Sequence, residues 1–298
     1  MNRILFTGIM PALVSPVSED GSIKEASLRR LVRDLSETGI TGFYLCGATG
    51  EGIAMAARRR MDLVEIVKDE APAHIKLINH IGDGNLETVR ALAAHSRKIG
   101  LDAIASVPPI YFQYDERGII DYYRAMSEAS DGLPMMIYAS PMSGTPLPVG
   151  TVEKMMDIPG FIGMKFTNPN YFQMSRYKKL GGGNINIING PDETCALGLL
   201  IGADGAIGST YNVMPRLFIK IYDACRAGDA KTAVDLQLKA DELIELMLRY
   251  NVIAACKLIL NERGYDVGEP NAPLPRMTAQ QKRDFMKAFE ALGPDDYV

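Results

Sequence analysis

Eight short, continuously hydrophobic segments separated by longer amphipathic ones constrain the fold of this chain more than any other feature. These segments are residues 9–14, 43–46, 75–78, 103–107, 135–138, 161–164, 185–188 and 206–207. Apolar runs without alternation are typical of strands that are buried on both faces of a parallel sheet. Eight strand–helix units therefore predict an α/β fold, a (β/α)8 TIM barrel. A doubly wound open sheet remains an alternative, because the number of strands does not show closure.

The length and the last part of the chain predict an extension beyond the barrel. A (β/α)8 barrel takes about 250 residues, whereas this chain has 298. After the eighth unit, residues 229–261 are predicted to be helical throughout, and another helix is predicted near the end of the chain. Since no linker separates these parts, we expect one unit over residues 1–298. Within it, residues 1–226 form the barrel and residues 227–298 form a C-terminal helical extension.

Composition argues against several classes of partner. The formal net charge is -4 without a long run of one sign, so no nucleic-acid partner is expected. No window approaches 18 apolar residues, so no membrane span is expected. The three histidines show no metal-ligand spacing, so no metal site is expected.

The cysteines bear on the compartment. Cys46, Cys195, Cys225 and Cys256 are far apart and form no C-x-x-C pair. Small core residues in a reducing compartment explain them better than disulfides or a catalytic thiol. Together with an N-terminus that does not resemble a leader, this predicts a cytoplasmic protein.

Lys165 is the most prominent candidate for chemistry, because reactive groups of barrel enzymes lie where strands end at their carboxyl side. It directly follows the apolar run 161–164. Partial desolvation there favours the neutral amine, which can attack a carbonyl and form an iminium that accepts electrons. The alternative is a lysine whose side chain extends from the strand end into solvent. Lys76, at the start of its strand, is interpreted as structural.

Four further strand ends carry polar groups whose role the residues alone leave open. Tyr138 closes the run 135–138 and is either a proton shuttle or a core tyrosine. The glycine-containing turn 47–51 can direct backbone N–H groups at an anion such as a carboxylate. Residues 202–210 form either a phosphate site or a tightly packed last strand. Residues 192–193, an acidic pair, either favour a helix N-terminus or bind substrate hydroxyls.

At these positions the sequence resembles the family of N-acetylneuraminate lyase and dihydrodipicolinate synthase, over nearly the whole chain. Residues 8–16 resemble the family's first strand, and residues 47–51, Gly-Ala-Thr-Gly-Glu, its carboxylate-binding G-[ST]-T-G-E. Residues 138–141 are similar to its Y-N-x-P tyrosine motif, and residues 163–165 to its Schiff-base lysine motif. The resemblance implies the barrel, a covalent Schiff base through Lys165 without a separate cofactor, pyruvate as the common substrate and a homotetramer.

Finer motifs resemble the lyase branch. They are residues 165–167, 171–174, 189–193 and 208–212. The resemblance implies that Lys165, Tyr138 and Tyr111 are catalytic, with Tyr111 completing a proton relay across a subunit interface as in relatives. It also implies substrate contacts of two kinds. Position 48 and Thr49 would hold the keto acid's carboxylate, and the sugar chain would meet Thr167, Gly190, Asp192, Glu193 and Ser209.

The expected reaction is the reversible aldol cleavage of a 2-keto-3-deoxy sugar acid, such as N-acetylneuraminate, into pyruvate and an aldose, N-acetylmannosamine. This is the activity of a carbon–carbon lyase. Two departures from the family pattern are Ala48, which replaces a serine or threonine, and a loop at residues 138–144 that is one residue shorter.

Three alternatives are open. The first is a 4-hydroxy-tetrahydrodipicolinate synthase that condenses pyruvate with aspartate semialdehyde. That enzyme typically carries an arginine after the tyrosine motif, whereas residues 142–144 are Met-Ser-Gly. The second is a lyase for another 2-keto-3-deoxy acid. The third is a non-catalytic regulator that binds a keto acid, which Ala48 supports and the retained Lys165 and Tyr138 oppose.

Overall fold

The computed structural model describes residues 3–297, so that Met1, Asn2 and Val298 lie outside the described part. Its centre is a sheet of eight parallel strands. In chain order they are β1 (Gly8–Pro11), β2 (Gly42–Leu45), β3 (Lys76–His80), β4 (Ala103–Ser106), β5 (Met135–Ala139), β6 (Phe161–Phe166), β7 (Asn186–Asn189) and β8 (Gly205–Gly208).

The sheet closes on itself. Neighbouring strands are hydrogen-bonded in the order β1-β8-β7-β6-β5-β4-β3-β2, so that β1 and β2 are the first and last strands of this order. These two strands meet through a parallel bridge between Ala12 and Tyr44. The Leu13 N–H donates to the Tyr44 carbonyl at 3.0 Å, and the Thr41 N–H donates to the Ile9 carbonyl at 3.0 Å. The predicted (β/α)8 barrel is therefore confirmed, and the open sheet is excluded.

Eleven α-helices of the described chain surround or extend this barrel. They are α1 (Glu25–Ser36), α2 (Ala57–Glu70), α3 (Leu86–Lys98), α4 (Glu116–Ala129), α5 (Val149–Met155), α6 (Tyr171–Lys178), α7 (Cys195–Leu200), α8 (Pro215–Arg226), α9 (Ala230–Leu248), α10 (Val252–Glu262) and α11 (Ala279–Ala291). The first eight follow the eight strands in turn, and α9, α10 and α11 form the C-terminal helices.

The prediction that residues 229–261 are helical throughout is wrong. Helix α9 ends at Leu248 and α10 begins at Val252. Between them Asn251 takes a φ of 150°, which lies outside the helical region. Its side-chain oxygen accepts a hydrogen bond from the Ala254 N–H at 3.1 Å, so Asn251 caps a new helix.

The strands separate two hydrophobic cores, since successive side chains of a strand point to opposite faces. On β2, Phe43 and Leu45 join the core between the sheet and the helices. Tyr44, between them, joins the smaller core inside the barrel. The same interior core contains Met136 and Tyr138 of β5. The interior of the barrel is thus packed with side chains, and its carboxyl end is lined by aromatic ones.

Within residues 3–297, no helix combines the length and the hydrophobicity that a membrane span requires. The same residues contain no group of three or more His, Cys, Asp or Glu side chains arranged to hold a metal ion. All four cysteines are free thiols.

Candidate active site

Lys165 and Tyr138 lie side by side at the carboxyl end of the barrel. They are paired residues of the neighbouring strands β5 and β6, and each side chain is 6% exposed. The Lys165 Nζ is 4.3 Å from the centroid of the Tyr138 ring. Lys165 is therefore not the solvent-extended lysine of the alternative interpretation. Lys76, in contrast, begins β3 at the other end of the barrel and pairs with Asp102 at 2.7 Å.

Two more aromatic side chains, Tyr44 and His80, complete the surroundings of Lys165. The Tyr44 ring centroid is 4.8 Å from Lys165 Nζ and 5.9 Å from the Tyr138 ring, which it meets edge to face. The His80 ring meets the Tyr138 ring edge to face at 5.9 Å. Neither Tyr44 nor His80 was expected from the sequence to have a role. The alternation of inward and outward positions along β2 and β3 places both side chains inside the barrel, but it does not distinguish them from core residues.

His80 is held as a neutral imidazole. Burial, followed by the nearby Arg60 guanidinium, lowers the pKa of His80 to about 3. The Val107 N–H points at Nε2 at 3.3 Å, and Nδ1 lies 3.1 Å from the Cys46 carbonyl. These partners assign the proton to Nδ1, since Nε2 accepts. The ring thus connects Val107, which follows β4, to Cys46, which precedes the turn 47–51. It is uncharged at neutral pH.

The turn 47–51 faces β8 across the barrel mouth. The Thr49 hydroxyl lies 2.6 Å from the Ser209 hydroxyl. Ala48 is exposed and lines a cavity together with Tyr138. The structure therefore brings Thr49 and Ser209 into direct contact, and it directs the unusual alanine at the space beside the tyrosine.

Glu51, the last residue of this turn, has a fully buried side chain. It is buried and takes a left-handed conformation with φ 57°. Its Oε1 lies 2.6 Å from Lys257 Nζ of α10. Its Oε2 accepts hydrogen bonds from the backbone and side-chain nitrogens of Asn271 at 2.6 and 2.9 Å. The glutamate thus ties the turn to the C-terminal extension.

The two acids that follow β7 differ in their surroundings. Asp192 is buried, and its Oδ2 accepts hydrogen bonds from the Thr210 N–H at 2.8 Å and hydroxyl at 2.7 Å. Burial raises the pKa of Asp192 to about 6 in spite of these bonds. Gly208 lies so close to the Asp192 carboxylate that a Cβ there would overlap with it. Glu193 is exposed.

Thr167 and Gly190 are in contact at the ends of β6 and β7. A Cβ added to Gly190 would collide with the Thr167 side chain, so only glycine allows this approach. The Thr167 hydroxyl is buried and has no hydrogen-bond partner within residues 3–297.

The glycine-rich segment 202–210 is a closely packed strand. A Cβ added to Gly205 would lie 2.6 Å from the Gly8 carbonyl oxygen of the adjacent β1. Of the two interpretations that the sequence left open, close packing is the one that the geometry favours.

A cavity of about 460 Å³ opens beside Tyr138. Its walls are mostly apolar, and they include Ala48 of the turn as well as Ile253 and Leu274 of the C-terminal extension. The extension is therefore part of the site and does more than cover the barrel. We did not foresee this contribution from the sequence, because it depends on contacts between distant parts of the chain.

Tyr111 lies apart from the other candidate residues. Its side chain is 92% exposed, and its φ is 79°. The Phe112 ring packs against it edge to face at 4.9 Å and is itself 65% exposed. Within one chain these two rings project from the surface, and Tyr111 is not among the side chains around Lys165.

Comparison with known proteins places this site in a family. The model of the dihydrodipicolinate synthetase family matches residues 5–292. The chain belongs to this family. An N-acetylneuraminate lyase of Escherichia coli is 36% identical to it over 255 residues, which are 85% of this chain and 86% of the lyase.

Solved structures of relatives agree with this membership. The N-acetylneuraminate lyase of Proteus mirabilis superposes on this family member with a TM-score of 0.92 at 29% identity, over 98% of this chain and 99% of the other. A catalytic lysine mutant of the Ruminococcus gnavus sialic acid aldolase gives 0.93 at 29% identity, over 98% of each chain. The predicted family and the prediction of a carbon–carbon lyase of the aldolase type are confirmed.

Proposed function

We propose that this protein is a class I aldolase that reversibly cleaves N-acetylneuraminate into pyruvate and N-acetylmannosamine through a Schiff base on Lys165. The observation that carries the proposal is a lysine that is 6% exposed at the carboxyl end of β6, against the ring of Tyr138. Lys165 Nζ lies over the rings of Tyr44 and Tyr138. A buried lysine amine in such a setting can attack a ketone.

The covalent steps follow from this arrangement. The neutral Lys165 amine adds to the C2 carbonyl of the keto acid, and loss of water from the carbinolamine gives the iminium. Tyr138 relays the proton that leaves the C4 hydroxyl while the C3–C4 bond breaks. The bonding electrons move to the iminium and form an enamine, and the aldose departs as the aldehyde. Protonation of the enamine at C3 and hydrolysis then release pyruvate and the free lysine.

Recognition of the substrate is divided between two sides of the mouth. We propose that Thr49 and the backbone of the turn at position 48 hold the carboxylate of the keto acid. The polyhydroxy chain then extends across the side formed by β6, β7 and β8. Support comes from the position of Thr167, whose side chain contacts Gly190 where β6 and β7 end. The remaining contacts that we propose for this chain are those of Gly190, Asp192, Glu193 and Ser209.

The synthase alternative lacks its expected recognition element. The loop that follows Tyr138 contains Met142, Ser143 and Gly144 and carries no arginine. A carboxylate on the aldehyde substrate would lose a charge-assisted contact there, and such contacts are roughly twice as strong as neutral hydrogen bonds. The 36% identity to an N-acetylneuraminate lyase also favours a sugar acid as the substrate over aspartate semialdehyde.

We further propose a homotetramer in the cytoplasm. Tyr111 and Phe112 are exposed large aromatic residues on one loop, and such a surface fits a contact with a second copy of the chain. Across that interface Tyr111 would complete the proton relay of a neighbouring site. The free thiols are compatible with a reducing compartment. For the chain itself we propose a barrel over residues 1–226 and an extension over 227–298, since α8 ends at Arg226.

A screen for pyruvate release tests the proposal. The purified protein is incubated with N-acetylneuraminate and, separately, with several other 2-keto-3-deoxy sugar acids, and pyruvate is measured with a coupled dehydrogenase. We expect the highest kcat/KM with N-acetylneuraminate and no release by Lys165→Ala. A preference for another sugar acid would show that this acid is the substrate instead of N-acetylneuraminate. Condensation of pyruvate with aspartate semialdehyde would show that the protein is a synthase. Absence of turnover with every substrate would support the non-catalytic regulator.

A further inference from the structure

Tyr44 contacts Lys165 and Tyr138, yet the proposed mechanism assigns it no role. Its side chain is 1% exposed inside the barrel. Its ring lies 4.8 Å from Lys165 Nζ and 5.9 Å from the Tyr138 ring. The two tyrosine rings thus meet nearly at a right angle, at 77°, and both lie within cation–π distance of the same nitrogen.

We propose that Tyr44 is a further residue of the reaction, whose ring face stabilises the positive charge that the Lys165 nitrogen carries as ammonium and as iminium. This inference rests on the proposed Schiff base. The face of an aromatic ring is the negative pole of its quadrupole, and it attracts a cation without forming a covalent or ionic bond. In a desolvated site this attraction is stronger than at a surface.

An aromatic wall suits this chemistry better than a carboxylate does. A carboxylate beside Lys165 would form a salt bridge and hold the ammonium, which would oppose attack by the neutral amine. The carbinolamine and the enamine are neutral at nitrogen, whereas the ammonium and the iminium are cations. A ring face stabilises the two cations moderately, so the nitrogen can pass between both kinds of species.

The hydroxyl of Tyr44 is not needed for this role. It is buried and has no hydrogen-bond partner within residues 3–297. Burial raises the pKa of Tyr44 well above its usual value, so the phenol stays protonated. The ring, and not proton transfer by the hydroxyl, is what Tyr44 offers to the nitrogen.

The turn 47–51 fixes the position of this ring. A Cβ added to Gly47 would lie 2.6 Å from Cε1 and 2.9 Å from Cδ1 of Tyr44. Glycine therefore allows the turn to rest on the ring. Tyr44 thus lies between the turn that we propose for the carboxylate and the lysine that we propose for the carbonyl of the same keto acid.

The pH dependence of adduct formation tests the role of the ring. The protein is incubated with limiting pyruvate and cyanoborohydride between pH 6 and pH 10, and the reduced adduct is quantified by intact mass. Adduct yield should fall at high pH, along an alkaline limb. At pH values below this limb the Lys165 ammonium is converted into the iminium, which is also a cation, so loss of the ring has little effect. At pH values above it the neutral amine is converted into the cationic iminium, so loss of the ring weakens adduct formation. For Tyr44→Leu we expect the limb to move down by roughly 0.4–1.5 pH units, from the usual range of a cation–π contact.

Two variants separate the ring from simple packing. Tyr44→Phe keeps the ring, and its alkaline limb should coincide with that of the parent. Phe43→Leu removes an equally buried aromatic ring from the same strand, on the face away from Lys165. It should lower stability without moving the limb.

If Tyr44→Leu does not fold, phenylalanine and its fluorinated analogues are incorporated at position 44. Fluorination weakens the negative face and retains the shape of the ring, so the limb should move down with each added fluorine. An unmoved limb in Tyr44→Leu or in the fluorinated series would overturn the inference. A shift in Tyr44→Phe as large as in Tyr44→Leu would assign the effect to the hydroxyl. Failure of the parent to form any adduct would instead reject the proposed Schiff base itself.

Discussion

Tyr138 and Lys165 occupy paired positions on β5 and β6, and the lysine nitrogen lies 4.3 Å from the centre of the phenol ring. This pairing follows from strand register and not from the flexibility of either side chain. Because both residues are built on strands, their separation is fixed by backbone hydrogen bonds of the barrel. Such a rigid pair is suited to a reaction in which a proton and a covalent bond move together.

We expect reduction with borohydride in the presence of pyruvate to attach one pyruvyl group, and to attach it to Lys165. Peptide mass mapping identifies the modified residue. Lys165→Ala should abolish the adduct and the turnover. Lys76→Ala is the matched control, since Lys76 lies at the opposite end of the barrel in an exposed pair with Asp102. An adduct on any other lysine would contradict the assignment.

Tyr138→Phe should lower kcat by roughly 10²–10⁴-fold, the usual contribution of a positioned proton donor or acceptor. The fold should persist, because phenylalanine keeps the buried ring that packs inside the barrel. Steady-state kinetics and thermal unfolding measure the two effects separately. An unchanged kcat would show that Tyr138 serves only to fill the barrel interior.

Asp192→Asn should stabilise the protein at neutral pH while it weakens catalysis. The folded pKa of Asp192, about 6, exceeds its usual value of 3.8. The stability that the protonated Asp192 side chain contributes is therefore fully present below about pH 3.8, and it is lost as the pH rises through about 6. At pH 7.5 the ionised carboxylate costs about 3 kcal/mol, by the conversion of a pKa difference into free energy.

Thermal unfolding of this variant at several pH values checks the sign. The melting temperature of Asp192→Asn should exceed that of the parent at pH 7.5, and the difference should disappear near pH 4. The KM for N-acetylneuraminate should rise, with less effect on the pyruvate adduct. A difference in melting temperature that is independent of pH would show that the charge of Asp192 is not its cause.

Glu51→Gln should destabilise the protein and raise the KM for pyruvate. It leaves the Lys257 ammonium, which is 1% exposed, without its ionic partner. Breaking a buried ion pair on one side typically costs 3–5 kcal/mol. The double variant Glu51→Gln, Lys257→Met should recover part of the stability. Urea unfolding and pyruvate titration measure both effects.

Asp235→Asn is the control for this pair, since Asp235 pairs with Lys231 on the surface of α9 at 2.6 Å. Exposed pairs of this kind contribute about 0.3–0.5 kcal/mol, so little change is expected. Equal losses of unfolding free energy in Glu51→Gln and Asp235→Asn would mean that the buried Glu51–Lys257 pair contributes no more to stability than an exposed pair.

The barrel and the two strand-end residues could be predicted because their signals are local. Strands buried on both faces must be apolar throughout, so Tyr138 and Lys165 stood out where their runs ended. Tyr44 lies in the middle of such a run, and nothing nearby distinguishes it from a core residue. Its place beside Lys165 depends on the closure of the barrel, which brings β2 and β6 to one mouth.

Two other features, the partner of Glu51 and the break between α9 and α10, were not predicted from the sequence. The motif at residues 47–51 predicted a turn, but the partner of Glu51 is on α10, and no local pattern indicates it. The break between α9 and α10 had a local signal in Asn251, a residue favoured at helix starts. The apolar stripe that continues on both sides obscured it.

The bond network around Glu51 also bears on how the protein is made. Ribosomal synthesis proceeds from the N-terminus, and domains generally fold as they emerge. The turn that ends at Glu51 emerges long before Lys257 and Asn271, since Asn271 follows Glu51 by 220 residues. Contacts over such sequence distances slow folding, because loop-closure entropy must be overcome first. A nascent chain therefore carries an unfinished form of the pocket that we propose for the keto acid until Lys257 and Asn271 have been added.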